Sequence, residues 1–164
     1  MKKITLILCA IILTACTCKK ETKNKEIKYD KNISKLTLND FNGDTLAYVQ
    51  TKIIDRKEYY IGKKFKVLID DFNIPIKFVV YSGDDNNITK VSSTAFLIYD
   101  GFQIKNKLNK GEIPVNLIIE WNPALNKKDL DKLNKEINWT PEKEAYFSEQ
   151  IIGNLGRTNY PGKK

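Results

Sequence analysis

The sequence contains no histidine. Every mechanism that needs an imidazole base, proton shuttle or metal ligand is thereby excluded. Cysteine is scarce and confined to the start of the chain, at Cys9, Cys16 and Cys18. A domain built from the residues beyond Cys18 has no internal disulfide and relies on its core. No apolar run approaches the roughly 20 residues of a membrane-spanning helix. Ile4 to Leu13 comes closest, broken by Thr5. A nucleophile elbow, a Ser-x-x-Lys pair and a phosphate-binding loop are all missing, and Gly62-Lys63-Lys64 lacks every other element of the last. No metal site and no cofactor are expected, because without histidine zinc would depend on these few cysteines and on carboxylates.

Positive charge is plentiful, with a formal net charge of +8. Its placement argues against a nucleic-acid partner. Lys2 and Lys3 stand at the very start, and residues 17–35 carry seven lysines against Glu21, Glu26 and Asp30. Residues 36–164 keep a net of only +2. A nearly neutral domain offers no basic footprint for phosphates. The charge instead reads as a solvated polar tether; an attraction of that tether to anionic lipid headgroups, at about 1 kcal/mol per basic residue near the surface, is an alternative.

Met1-Lys2-Lys3 followed by Ile4–Leu13 has the charged start and short apolar stretch of a secretory signal. Leu13-Thr14-Ala15-Cys16 then resembles the lipobox of bacterial lipoproteins: an aliphatic residue, two small ones and a cysteine. The resemblance covers residues 1–16. It implies that the Cys16 thiol takes a diacylglyceryl group and that a dedicated peptidase cuts between Ala15 and Cys16. It also implies that the new amine is acylated. Two or three chains give stable anchoring, at about 0.8 kcal/mol per buried methylene. Thr17 follows the cysteine and no acid precedes Glu21. By the same resemblance the protein faces the periplasm from the outer membrane, in an organism that has one.

Three segments are therefore expected. Residues 1–15 are a signal peptide, and 16–35 are a lipidated cysteine with a flexible polar tether. Residues 36–164 form a single globular domain. The tether is rich in Lys, Asn, Glu and Thr and has too little apolar surface to offset its ordering entropy.

Within the domain, Asp44 reads as the N-cap of a helix whose stripe is Leu46, Val49 and Ile53, widened by Ala47 and Ile54. Phe65, Leu68, Ile69 and Phe72 fall at i, i+3, i+4 and i+7 of a second helix, bounded by Gly62 and Asn73. Ile74–Tyr81 is a β-rich run, Ser82–Asn87 a turn, and Val91–Tyr99 a second strand closed by Asp100-Gly101. Residues 102–112 are ambiguous. Val115, Leu117, Ile119 and Trp121 alternate along a third strand, which Asn122-Pro123 stops. Asn126 with Asp129 caps a helix bearing Leu130, Leu133 and Ile137. Thr140 with Pro141 caps a last helix bearing Phe147, Ile151 and Leu155, ended by Gly153 or Gly156. The pattern predicts an α+β domain with a small, mainly antiparallel sheet of about three strands, packed with helices. Residues 60–121 also resemble a PASTA-type unit, through Tyr60-Ile61-Gly62, the helix with Leu68, the extended Ile74–Val80, and Leu108-Asn109-Lys110-Gly111 before the final strand. No proline-glycine pair precedes Lys110-Gly111, a departure from that family.

Three side-chain groupings invite chemistry. Asp40-Phe41-Asn42-Gly43-Asp44 has oxygen ligands at positions 1, 3 and 5 of a calcium loop, but Thr45 replaces the glycine and Thr51 the terminal glutamate. It reads as a turn into an N-cap, as Asp84-Asp85-Asn86-Asn87 reads as a turn between strands. Asp70 and Asp71 are neighbours on a helix that point apart, and read as part of its solvated face. Trp121, Trp139, Tyr59 and Tyr60 form either a carbohydrate-stacking surface or core, and core is expected. The residues thus indicate a non-enzymatic, membrane-anchored module that binds another envelope molecule, with Tyr59 or Tyr99 as interface anchors. Two alternatives stay open: an immunity protein against an antibacterial toxin, and, from the second resemblance, a peptidoglycan-binding domain. A hydrolase built on paired carboxylates is the one enzymatic route the composition permits.

Overall fold

A computed structural model describes residues 31–84 and 87–158. The expected signal peptide with Ala15, Cys16, and residues 17–30 of the expected tether lie outside these residues; Lys31–Ser34, expected as flexible tether, form a short helix. The order of elements is α1 (Lys31–Ser34), α2 (Thr45–Lys52), α3 (Lys57–Tyr60), α4 (Phe65–Phe72), β1 (Phe78–Asp84), β2 (Asn87–Leu97), α5 (Gly101–Asn109), β3 (Leu117–Asn126), α6 (Lys127–Leu133), α7 (Pro141–Ser148) and β4 (Ile152–Arg157). Short 3-10 turns cover Leu38–Phe41 and Ile54–Arg56. The fold is α+β. The four strands form one antiparallel sheet in the order β1-β2-β3-β4.

Local chemistry starts the helices where the sequence places caps. Asp44 accepts from the Ala47 amide at 3.0 Å, and Thr140 from the Lys143 amide with Pro141 in the first turn. Asn126 caps α6 through the Lys128 amide, 2.9 Å away. Asn73 ends α4 in the left-handed conformation at φ 51°. Asp100-Gly101 does more than close β2. Asp100 and Gln103 form a reciprocal capping box, with bonds of 2.8 and 3.2 Å, that opens α5 across the ambiguous 102–112 stretch.

Four expectations are corrected. The sheet has four strands, because the chain after α7 is β4 and not a continued helix. Ile152 and Leu155 are both buried although three residues apart. The register runs Trp121 to Ile152 and then Glu120 to Asn154, so Gly153 is an extra bulged residue. The bulge turns a two-residue period into three and imitates a helical stripe. In β3 the strand passes through Asn122-Pro123 instead of stopping there. The pairing jumps from Ser93–Glu120 to Val91–Leu125, so Pro123 falls in the interruption and its missing N–H costs no ladder bond. The turn after β1 is shorter than expected, since β1 reaches Asp84 and β2 starts at Asn87. Finally, α6 ends at Leu133, and Ile137 is 75% exposed. The segment after α6 pairs with the start of β1 instead: Asn138 bridges Phe78, and the Trp139 amide donates to the Lys77 carbonyl at 2.8 Å. Buried Lys143 holds it there by donating to the carbonyls of Glu136 and Asn138.

The sheet's inner face carries the core. Paired rows Val79–Phe96–Leu117–Arg157 and Tyr81–Thr94–Ile119–Leu155 face the helices. Phe96 lies at the centre of an aromatic cluster, with ring centroids 4.5 Å from Phe65, 5.3 Å from Phe147 and 5.7 Å from Trp139. Trp121 stacks on Phe147 at 5.7 Å and donates its indole N–H to Thr94 at 2.8 Å. A buried polar tip is satisfied in this way within an apolar layer. On α2 the buried stripe is Thr45, Tyr48, Val49 and Lys52 with Ile53, while Leu46 is only half-buried.

Candidate functional site

The candidate calcium loop is spent on capping. Asp40 accepts from the Thr37 amide and hydroxyl at 2.7 and 2.8 Å, which holds its carboxyl below the usual carboxylate range. Asn42 takes the left-handed conformation at φ 53°, and Asp44 caps α2. Among the described residues no group of three Asp, Glu or Cys side chains is arranged to hold a metal ion. The second Asx cluster is only partly described, since Asp85 and Asn86 lie outside the described residues.

The aspartate pair divides. Asp70 is exposed and pairs with Lys66 at 2.8 Å. Asp71 does not belong to the solvated face; it points into the protein. Its Oδ2 accepts from Arg56 Nη1 at 3.1 Å and from the Tyr60 hydroxyl, and Lys52 Nζ lies 4.0 Å from Oδ1. Lys52 is fully buried. Its ammonium donates to the Leu36 carbonyl at 2.7 Å and lies 5.3 Å from the Tyr48 ring centroid. Burial pulls the Lys52 pKa down; Asp71 opposes that pull and Arg56 adds to it. Burial, with Asp71 behind it, pushes the Tyr48 hydroxyl up to about 12. That hydroxyl donates to the Phe72 carbonyl. Sequence reasoning missed this group because a lysine and an aspartate each read as surface. The signal available was their register: Lys52 lies three residues beyond Val49 and Asp71 three beyond Leu68, on the apolar faces of their helices. The group ties α2, the following 3-10 turn, α3 and α4 together. Each partner is engaged within the fold, so it is a structural anchor and not an open reaction centre.

The aromatic candidates separate too. Trp121 and Tyr60 are buried, and Trp139 and Tyr59 are half-buried against the core. The ammonium of Lys63 lies 3.2 Å from the Tyr59 ring centroid. Tyr99 is half-buried against the core, with Lys107 at 5.0 Å from its ring. These rings fill the fold and build no stacking platform.

What the fold leaves open is the other face of the sheet. Rows Val80–Ala95–Ile118–Gly156 and Phe78–Leu97 alternate with the inward rows. Phe78, Val80, Leu97 and Ile118 stand apart from the core cluster; Val80 is 56% exposed, and Phe78, Ala95, Leu97 and Ile118 are half-buried. A Cβ placed on Gly156 would meet no atom within 4 Å, so the end of that row is open space. The next row, Ser93–Glu120–Asn154, is polar. Strands spaced about 4.8 Å apart therefore carry an apolar row on this face with a polar row beside it.

Compared with known proteins, the chain matches no family model, no curated protein and no solved structure. Among the described residues no helix is long and apolar enough to cross a membrane.

Proposed function

We propose that this chain is a lipid-anchored protein of the bacterial cell envelope whose domain acts by binding a protein partner on the open face of its sheet. The anchoring half rests on Leu13-Thr14-Ala15-Cys16, with Cys16 as the acylated residue. In an organism with an outer membrane, the domain faces the periplasm from it.

The binding half rests on one observation: on the sheet face turned from the core, the described residues place exposed Val80 among half-buried Phe78, Ala95, Leu97 and Ile118, beside Ser93, Glu120 and Asn154. An apolar centre with a polar border is the composition of a protein interface. A glycan would call for exposed aromatic platforms, and Trp121 and Tyr60 are buried. An interface of standard size covers about 800 Å² per partner, so this apolar row supplies its centre and neighbouring loops its margin.

The test is photo-crosslinking in the native cell, with a reactive side chain placed at Val80 or Ile118. One defined envelope protein should be captured at both positions, and Ile118→Lys should abolish capture at Val80. Absence of any adduct at either position overturns the binding half. So does turnover of a cell-wall glycan by the purified protein that is lost when a single carboxylate is changed to its amide.

A further inference from the structure

We propose that α5 is a lipid-contacting helix that rests on an anionic membrane surface, with Phe102 entering the headgroup layer and Lys105 and Lys110 meeting lipid phosphate. The inference rests on the anchored reading only in that an anchor keeps the domain within reach of a bilayer.

None of the nine residues of α5 is buried. One side of it is half-buried, at Ile104, Asn106 and Lys107, and polar bonds fasten its ends. At its start Lys77 Nζ donates to Gln103 at 2.9 Å and lies 3.3 Å from Asp100. At its end Lys107 pairs with Glu112 at 2.7 Å. Between these fastenings the ridge at helical spacing is Phe102, Lys105, Asn106 and Asn109, all exposed except the half-buried Asn106. Phe102 is 74% exposed on that ridge.

Charge decides the occupant. Residues 101–111 contain Lys105, Lys107 and Lys110 and no acid. Lys107 is committed to Glu112, whereas Lys105 and Lys110 form no ion pair among the described residues. The acids near the helix are at its ends: Asp100 is its cap, Glu112 is engaged by Lys107, and Asp44, the cap of α2, lies beside Glu112. A helix that docks in a protein groove offers apolar anchors at i, i+3, i+4 and i+7. Here a single aromatic is followed by lysine and two asparagines. One bulky ring beside free ammonium groups is the chemistry of a helix lying in the headgroup region of an anionic leaflet.

The experiment is hydrogen–deuterium exchange on the full chain, purified from membranes and reconstituted into vesicles of phosphatidylcholine with or without phosphatidylglycerol. With the anionic lipid, amides of residues 101–110 should slow by about tenfold while those of α7 stay unchanged. High salt should reverse much of the effect. Phe102→Ser and the pair Lys105→Glu, Lys110→Glu should each abolish it. These positions are exposed, so an unchanged melting midpoint will show that the variants fold. Equal exchange in both lipids overturns the proposal, as does slowing that survives the variants. Slowing that appears only when an envelope protein is added assigns the helix to a protein interface and also overturns it. Intact mass of the same sample reports acylation at Cys16 separately, so a chain without lipid that still protects α5 sinks the anchored reading alone.

Discussion

Arg56 and Asp71 meet at 3.1 Å with both side chains less than one-tenth exposed, and Lys52 completes the group with no exposure at all. Two cations thus share one buried carboxylate, and the Leu36 carbonyl takes the ammonium of Lys52. Removing that carboxylate leaves two buried positive charges facing each other, which costs far more than the pair contributes over an apolar replacement. Asp71→Asn is expected to destabilise the fold by about 3–5 kcal/mol. Asp70→Asn, one residue away, removes only an exposed pair and should change stability by about 0.5 kcal/mol or less. Denaturant midpoints of the two variants check the contrast.

Tyr48 gives the same region a pH signature. Its hydroxyl is raised to about 12 in the folded protein by burial first and Asp71 second. A raised folded value stabilises fully below the unfolded value near pH 10, and that contribution is lost as pH rises towards 12. The loss amounts to about 2 kcal/mol across this window. Lys52, whose folded value is lowered mainly by burial, acts in the opposite sense and gains stability as pH climbs towards its unfolded value. Tyr48→Phe keeps the lysine and removes the hydroxyl. At neutral pH the variant should be weaker by about 1 kcal/mol, because the Phe72 carbonyl loses its donor. Above pH 10 the wild type should lose stability more steeply than the variant. Denaturation curves at stepped pH will show parallel lines if the tyrosine is not the source.

The anchor is tested at a single atom. Membrane-extracted protein should begin at Cys16 and carry acyl mass there. Cys16→Ala should give an uncut precursor or release the domain from the membrane fraction. A lipid-free mature chain starting elsewhere refutes the reading of Leu13–Cys16.

What was legible in the sequence was whatever depends on neighbours along the chain. Asp44, Thr140 with Pro141, and Asn73 bound their helices as expected, because caps act within three or four residues. The inward stripe of α4 at Phe65, Leu68 and Phe72 was legible for the same reason, as were the alternating residues of β3 up to Trp121. The α+β class followed from them. What was not legible depends on distant partners. Lys52 and Asp71 read as surface until the fold brings them together. The segment after α6 is fixed by Lys143 and by pairing with β1, neither of which is local. The outer face was hidden because Val80, Ala95 and Ile118 look like ordinary strand residues until the register places them on the face turned from the core cluster.

The fourth strand shows the same limit and supports the last prediction. Gly153 and Gly156 lie on one strand, three residues apart, and one or the other was expected to end a helix. Their surroundings now differ completely. A Cβ at Gly153 would lie 3.0 Å from the Cβ of Asn122, 3.3 Å from its amide nitrogen and 3.3 Å from the Glu120 carbonyl oxygen. Two of those three atoms are backbone, and Asn122 amide is itself bonded to the Ile151 carbonyl at 3.0 Å. The neighbour cannot withdraw without opening the junction of β3 and β4. Gly153→Ala should therefore cost about 1–3 kcal/mol, the range for forcing a methyl into a packed site. At Gly156 the Cβ meets nothing within 4 Å, and the residue does not have a positive φ. Gly156→Ala should be neutral or stabilising by up to about 1 kcal/mol, since alanine leaves the unfolded chain less freedom to lose. Thermal midpoints of the two variants, compared side by side, decide it. A helix continuing past Ser148 would place both glycines in the same kind of environment and favour alanine at each. A loss at Gly153 with none at Gly156 is the outcome that only the bulged strand explains.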